Sequence, residues 1–140
     1  VLDVAQARAA AAAGAQYLVA PGFDPEVLDW ACGNDLLHVP GALSPTEIVM
    51  AARAGARLVK LFPARAFGPG YIADLAGPLP EVRLIATGGV SHQDAAGYLS
   101  AGAAAVALGS ALADAGRSDE ETTQRARQIT ELVAESRRDT

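Results

Sequence analysis

A single cysteine, Cys32, stands in the 140 residues, so no disulfide can close within the chain, and no Cys/His spacing of a zinc site surrounds it. Apolar residues make up 51% of the sequence, much of it alanine, yet no run approaches the length a membrane-spanning helix requires. The N-terminus lacks the charged-then-apolar order of a secretory signal. A surplus of positive charge is missing too: 16 acidic residues outweigh 11 basic ones, for a net charge of −5. Arg8, Arg53, Arg57, Arg65 and Arg83 are scattered rather than gathered into a stripe. These absences argue against a nucleic-acid surface and a membrane span, and a reducing cytosol is the expected compartment. Lysine is the scarcest charge of all, since Lys60 alone is lysine and every other basic residue is arginine.

What is present is an alternation of strands and helices. Asp3 caps an alanine-rich helix that ends at Gly14, and a strand over 17–20 stops at Pro21-Gly22. Asp24-Pro25 opens a second helix, with Val27, Leu28 and Ala31 on one side. The strand over 36–39 closes on Pro40-Gly41, and Ser44-Pro45-Thr46-Glu47 is a capping box before a helix that ends at Gly55. The lysine strand follows, then a Gly/Pro-rich loop over 67–70 and a short helix holding Tyr71, Ile72 and Leu75. A strand over 82–86 ends in Thr87-Gly88-Gly89, Ser91 is expected to cap a helix through Leu99, and a strand over 104–108 closes on Gly109-Ser110. A second capping box, Ser118 to Glu121, starts a last helix that runs through Ile129, Leu132 and Val133 into a charged tail.

Ala13-Gly14-Ala15, Ala54-Gly55-Ala56 and Ala101-Gly102-Ala103 each join a helix to the next strand, which sets a β/α repeat of roughly twenty residues. Apolar strands alternating with helices predict a parallel sheet covered by helices, in one domain over residues 1–140. The small repeat and a Gly-rich or polar motif at each strand's carboxyl end favour a (β/α)8 barrel over an open sheet. With five clear strands, plus a stub at Val1, the expected barrel is incomplete.

Lys60 sits inside the apolar run Leu58-Val59-Lys60-Leu61-Phe62-Pro63. Burial disfavours an ammonium, so either the amine snorkels to water or the site uses it. A lysine whose pKa is pushed down offers a neutral amine that can attack a carbonyl carbon and form a Schiff base. Neighbouring strand ends favour use. In parallel α/β folds ligands sit at the carboxyl ends of strands, and here Gly88-Gly89 and Gly109-Ser110 close consecutive strands. Backbone amides at such glycine turns, with a serine hydroxyl, suit a phosphate. The remaining polar residues are expected to be structural. His38 reads as a hydrogen-bonded core residue, His92 as exposed, Glu47 as part of a cap, Trp30 and Tyr98 as core or interface, and Cys32 as a small packed hydrophobe.

Val59-Lys60-Leu61-Phe62-Pro63-Ala64 together with Ala20-Pro21-Gly22, Val39-Pro40-Gly41, Ser44-Pro45-Thr46-Glu47, Thr87-Gly88-Gly89-Val90 and Gly109-Ser110 closely resembles the family of 2-keto-3-deoxy-6-phosphogluconate (KDPG) aldolase and 4-hydroxy-2-oxoglutarate aldolase. The resemblance runs the length of the chain and implies a class I aldolase on a (β/α)8 barrel. It implies that Lys60 forms the Schiff base, Phe62 packs beside it, Pro21 lines the pyruvate pocket and Thr87 lies near the substrate. Gly88, Gly89 and Ser110, with Gly109 before it, are then the phosphate-binding residues. The implied reaction cleaves KDPG to pyruvate and glyceraldehyde 3-phosphate, with no metal or organic cofactor, in a cytosolic homotrimer. The family's general-base Glu, carboxylate-binding Arg and third-strand Gly-Thr precede the point that matches Val1, so this stretch is expected to be about the last two thirds of the barrel. Two other readings stay open: a phosphate-binding barrel isomerase or epimerase, and a non-catalytic barrel fragment that binds phosphate or a complementary barrel piece.

Overall fold

A computed structural model describes residues 1–136; the expected charged tail over 137–140 lies outside the described residues. The chain divides into two compact units, Val1–Phe62 with Glu81–Leu84, and Pro63–Pro80 with Ile85–Thr140.

The first unit holds α1 (Val4–Ala12), β1 (Tyr17–Val19), α2 (Pro25–Cys32), β2 (Leu37–Val39), β3 (Gly41–Ala42), α3 (Pro45–Arg53) and β4 (Val59–Leu61). Its helices start where short polar side chains replace missing backbone partners. The Asp3 carboxylate accepts from the Gln6 amide at 2.7 Å, and Asp24 accepts from Glu26 at 2.8 Å. At α3 the capping box is complete: Ser44 Oγ accepts from the Glu47 amide at 3.3 Å while the Glu47 carboxylate accepts from the Ser44 amide at 2.8 Å. The Ser44 amide, the Leu43 amide and the Ser44 hydroxyl all donate to the Glu47 carboxylate and hold its pKa below the usual carboxylate range, so the cap accounts for this residue.

All strand pairs are parallel, β1 with β2 and β3 with β4. The register sets Leu18 beside His38 and Gly41 beside Lys60. Side chains alternate along a strand, so Leu18, His38, Val59 and Leu61 lie on one face and Tyr17, Val19, Leu37 and Lys60 on the other. The first face is the core, where Leu18 packs with Ala7, Val27 and Ala31 of the helices. The second face is covered only in part, less than the sequence suggests: Val39 is 5% exposed, but Tyr17 is 62% exposed, Val19 41% and Leu37 38%. In barrels only the outer face of each strand meets helices, so a helix-covered sheet overstates the burial of the other face.

The second unit contains a 3₁₀ turn (Ala64–Ala66), α4 (Pro69–Ala76), most of β5 (Leu84–Thr87), α5 (Ala95–Ser100), β6 (Ala105–Ala107) and α6 (Asp119–Ser136). β5 and β6 pair in parallel, with Thr87 opposite Ala107. Ile72, Leu75, Ala86, Val90, Ala95 and Tyr98 are buried. The Ala-Gly-Ala joints behave as read: Gly14, Gly55 and Gly102 take φ of +90°, +102° and +105°. The amides of Ala15, Ala56 and Ala103 reach back 3.0 Å to carbonyls five residues earlier, which closes each helix.

One helix start differs from expectation. Ser91 caps a turn rather than a helix, accepting from the Asp94 amide at 3.1 Å and donating to its carboxylate at 2.7 Å, and α5 begins only at Ala95. There a local side-chain bond competes with helix propagation. The last helix starts where the sequence places it: the amides of Leu112 and Ala113 close onto the Gly109 carbonyl, and α6 begins at Asp119, where the Ser118–Glu121 box forms. Among the described residues no helix is long and apolar enough to cross a membrane.

Candidate active site

β4 is tied on both sides. The Lys60 amide donates to the Pro40 carbonyl at 2.8 Å and that of Phe62 to Ala42 at 2.9 Å, while the Val59 amide donates the other way, to Arg83, at 3.0 Å. Val59 and Leu61 are fully buried, which points the intervening Lys60 side chain to the opposite face, half-buried. Its register partner Gly41 presents no side chain there, so the amine has room. Burial lowers the Lys60 pKa below the ordinary lysine value. Nζ lies 4.2 Å from the centroid of the Phe62 ring, so Phe62 does stand beside it. A ring face favours the ammonium by about 0.5–1 kcal/mol at such a part-exposed site, which tempers the shift without supplying a counter-ion. Among the described residues no carboxylate stands within salt-bridge distance of Lys60; the one ion pair found joins Arg117 to Asp114.

Pro21 and Gly22 stand against this strand end. The Gly41 amide donates to the Gly22 carbonyl at 3.0 Å, and a β-carbon on Gly41 would overlap the Pro21 carbonyl and come within 2.7 Å of the Gly22 nitrogen. The two Pro-Gly ends are thus packed backbone on backbone. A separate cavity of about 310 Å³ lies at the other, amino-terminal ends of these strands, lined by Gln16, Asp35, Leu36, Gly55 and Arg57 among others, and takes no part at Lys60.

In the second unit Thr87 ends β5 half-buried, its hydroxyl donating to the Ile85 carbonyl at 3.3 Å. Gly88 and Gly89 follow with φ of +90° and +73°. The Gly88 carbonyl accepts from the Arg65 amide at 3.1 Å, which fastens the 3₁₀ turn to this glycine turn. Ser110 is exposed. The amides of Gly89, Ser110 and Ala111 donate to no group among the described residues. Such unused amides at strand carboxyl ends suit an anion. Sequence reasoning passed over Arg65, counting it only as one scattered arginine; its place directly after the Lys-x-Phe-Pro-Ala run was the available signal.

The remaining polar residues divide. Cys32 is exposed rather than packed, because it falls at the end of α2. Trp30 is half-buried against the first unit's core, with the Arg8 guanidinium 5.8 Å from its ring, and Tyr98 is buried as expected. His92 is half-buried rather than exposed, because the turn that replaces the expected helix start draws it in. His38 is 2% exposed, but neither ring nitrogen has a hydrogen-bond partner, so the expected bond is absent. Its register partner on β1 is Leu18, and the buried residues of α2 are Val27, Leu28 and Ala31, all apolar. Desolvation lowers its pKa, opposed by Asp24. A folded pKa below the unfolded one means that stability is fully present above the unfolded histidine value of 6.5 and is lost as pH falls through the lower folded value. His38→Val is expected to leave stability at pH 7.5 unchanged or raise it by about 1 kcal/mol, since it removes two unpaired polar atoms. Urea melts of the variant should lose most of their pH dependence below the unfolded histidine value of 6.5; an unchanged dependence assigns the acid sensitivity elsewhere.

Parallel strands alternating with helices, with the distinctive side chains at their carboxyl ends, define a chain of the (β/α)8 TIM-barrel type. Residues 1–129 match the family described as Aldolase: KDPG and KHG aldolase, and the chain belongs to that family. It is 41% identical over 127 residues to the 2-dehydro-3-deoxy-6-phosphogalactonate aldolase of Escherichia coli (strain K12), covering 90% of this chain and 62% of that protein. A native KDPGal structure superposes with a TM-score of 0.93 at 37% identity, over 99% of this chain and 68% of the other. A KDPG aldolase from Legionella pneumophila, with pyruvate captured at low pH as a covalent carbinolamine, superposes with a TM-score of 0.76 at 28% identity, over 94% and 63%. The chain therefore spans about three fifths of the length of its curated relative (62%).

Proposed function

We propose that the protein carrying this chain is a class I aldolase that cleaves a 2-keto-3-deoxy-6-phospho sugar acid to pyruvate and glyceraldehyde 3-phosphate. The observation that carries this reading is Lys60: the single lysine, half-buried beside Phe62, with a lowered pKa and no carboxylate partner among the described residues. An amine so placed is held for a carbonyl rather than for a salt bridge. Its nitrogen attacks the keto carbon to give a carbinolamine, and loss of water leaves an iminium. The C3–C4 bond then breaks as its electron pair enters the iminium, and the C4 hydroxyl proton passes to a base. By the resemblance that base is a Glu on the barrel's first strands. Protonation of the enamine carbon and hydrolysis release pyruvate and return the amine of Lys60.

Pro21 lines the pyruvate end in this reading, and Thr87 lies near the substrate. Gly88, Gly89, Gly109 and Ser110 bind the phosphate; the unused amides support that assignment. The galactonate epimer stands beside the gluconate named from the sequence as a candidate substrate; the phosphogalactonate aldolase of Escherichia coli and the probable one of Rhizobium meliloti, each matching 90% of this chain, support it. A cytosolic homotrimer containing residues 1–140 as the last part of one barrel domain completes the reading. The test is a substrate panel, following pyruvate release from the phosphorylated galactonate, the phosphorylated gluconate and 4-hydroxy-2-oxoglutarate. A phosphate held by charge-assisted bonds should raise kcat/KM by roughly 10-fold or more over the unphosphorylated acid. No pyruvate from any of the three, by a folded full-length protein, rules the aldolase out.

A further inference from the structure

We infer that Arg65 is a substrate-binding residue that sets the preference for a phosphorylated substrate, by adding a guanidinium to the anion-binding turn at Gly88-Gly89. The inference rests on the reading above only in taking that turn as the phosphate end; the geometry stands by itself. A β-carbon on Gly89 would fall on Cδ of Arg65 and stand 2.8 Å from its Cγ and 2.9 Å from its Cβ. The whole aliphatic stem of the arginine therefore lies across Gly89, in space that only a glycine leaves open. Nε is bonded to that Cδ, so the guanidinium is delivered at the rim of the turn. Its backbone is fixed there as well, through the 3.1 Å bond from the Arg65 amide to the Gly88 carbonyl.

Nothing among the described residues uses this charge. Arg65 is exposed, and among the described residues it joins no ion pair and its guanidinium donates no hydrogen bond. An unpaired guanidinium beside unused backbone amides presents a planar fork and N–H donors to one anion, an arrangement that matches phosphate better than a single carboxylate.

The test uses inorganic phosphate, titrated at low ionic strength by calorimetry, with amide shifts of Gly88 and Gly89 followed by NMR to locate the ion. Arg65→Met keeps the stem over Gly89 and removes the charge; Arg65→Lys keeps the charge and removes the fork. Phosphate affinity is expected to fall roughly tenfold or more in the Met variant and to recover in part with Lys, while thermal midpoints stay together. Equal affinity in the wild type and the Met variant overturns the assignment, as does a wild type whose glycine amides do not respond to phosphate. Reductive trapping of pyruvate on Lys60 in the same samples separates the two claims. An adduct in all three proteins with unchanged phosphate affinity removes Arg65 and keeps the aldolase; no adduct in any removes the aldolase, and the phosphate titration still decides Arg65.

Discussion

Lys60→Arg is expected to abolish aldol cleavage, lowering kcat by on the order of 10⁴-fold or more, while the protein folds and stays soluble. Arginine keeps the length and positive charge of the side chain but is never deprotonated in a protein, so it cannot supply a lone pair to the keto carbon. The strand tolerates the change, because Val59 and Leu61 fill the core face and the residue between them is half-buried on the other. Burial also sets the pH at which the wild type works. With the amine's pKa depressed, the rising limb of the rate against pH should lie below the ordinary lysine value of 10.5. A variant that retains a tenth or more of the activity, with the same rising limb, contradicts the role given to this nitrogen.

Gly41→Ala is expected to destabilise the protein by roughly 3 kcal/mol or more, the upper end of what overpacking costs, and so to deplete soluble material. The added methyl meets the Pro21 carbonyl and the Gly22 nitrogen, which are backbone atoms and cannot swing aside as a side chain does. Gly22→Ala is the matched control. It lies in the same junction, but a β-carbon there meets nothing within 4 Å, so its cost should be within about 0.5 kcal/mol. Equal urea midpoints for the two variants contradict the close approach of the two strand ends.

Much of the fold could be read from the chain because its punctuation is local. Asp3, Asp24, Ser44 and Ser118 cap helices through bonds spanning two or three residues, and the three Ala-Gly-Ala joints close helices through bonds spanning five. Lys60 stood out for a related reason: a single ammonium in an apolar strand is a conflict visible without coordinates. Misreadings arose where local signals competed or where contacts were distant. Ser91 carries the same cap chemistry as Ser44, but its partner Asp94 closes a turn first. His38 was expected to find a hydrogen-bond partner, and only the packing of Leu18 and α2 around it shows that none is in reach. The placement of Arg65 over Gly89 joins residues distant in sequence, and no periodicity or cap announces it.

The most direct measurement is the mass of the peptide bearing Lys60 after the native protein is treated with pyruvate and borohydride. A reduced pyruvyl adduct on that peptide, absent when pyruvate or reductant is omitted and absent from Lys60→Arg, is the predicted result. An unmodified Lys60 in a folded protein that otherwise turns over its keto acid contradicts the account.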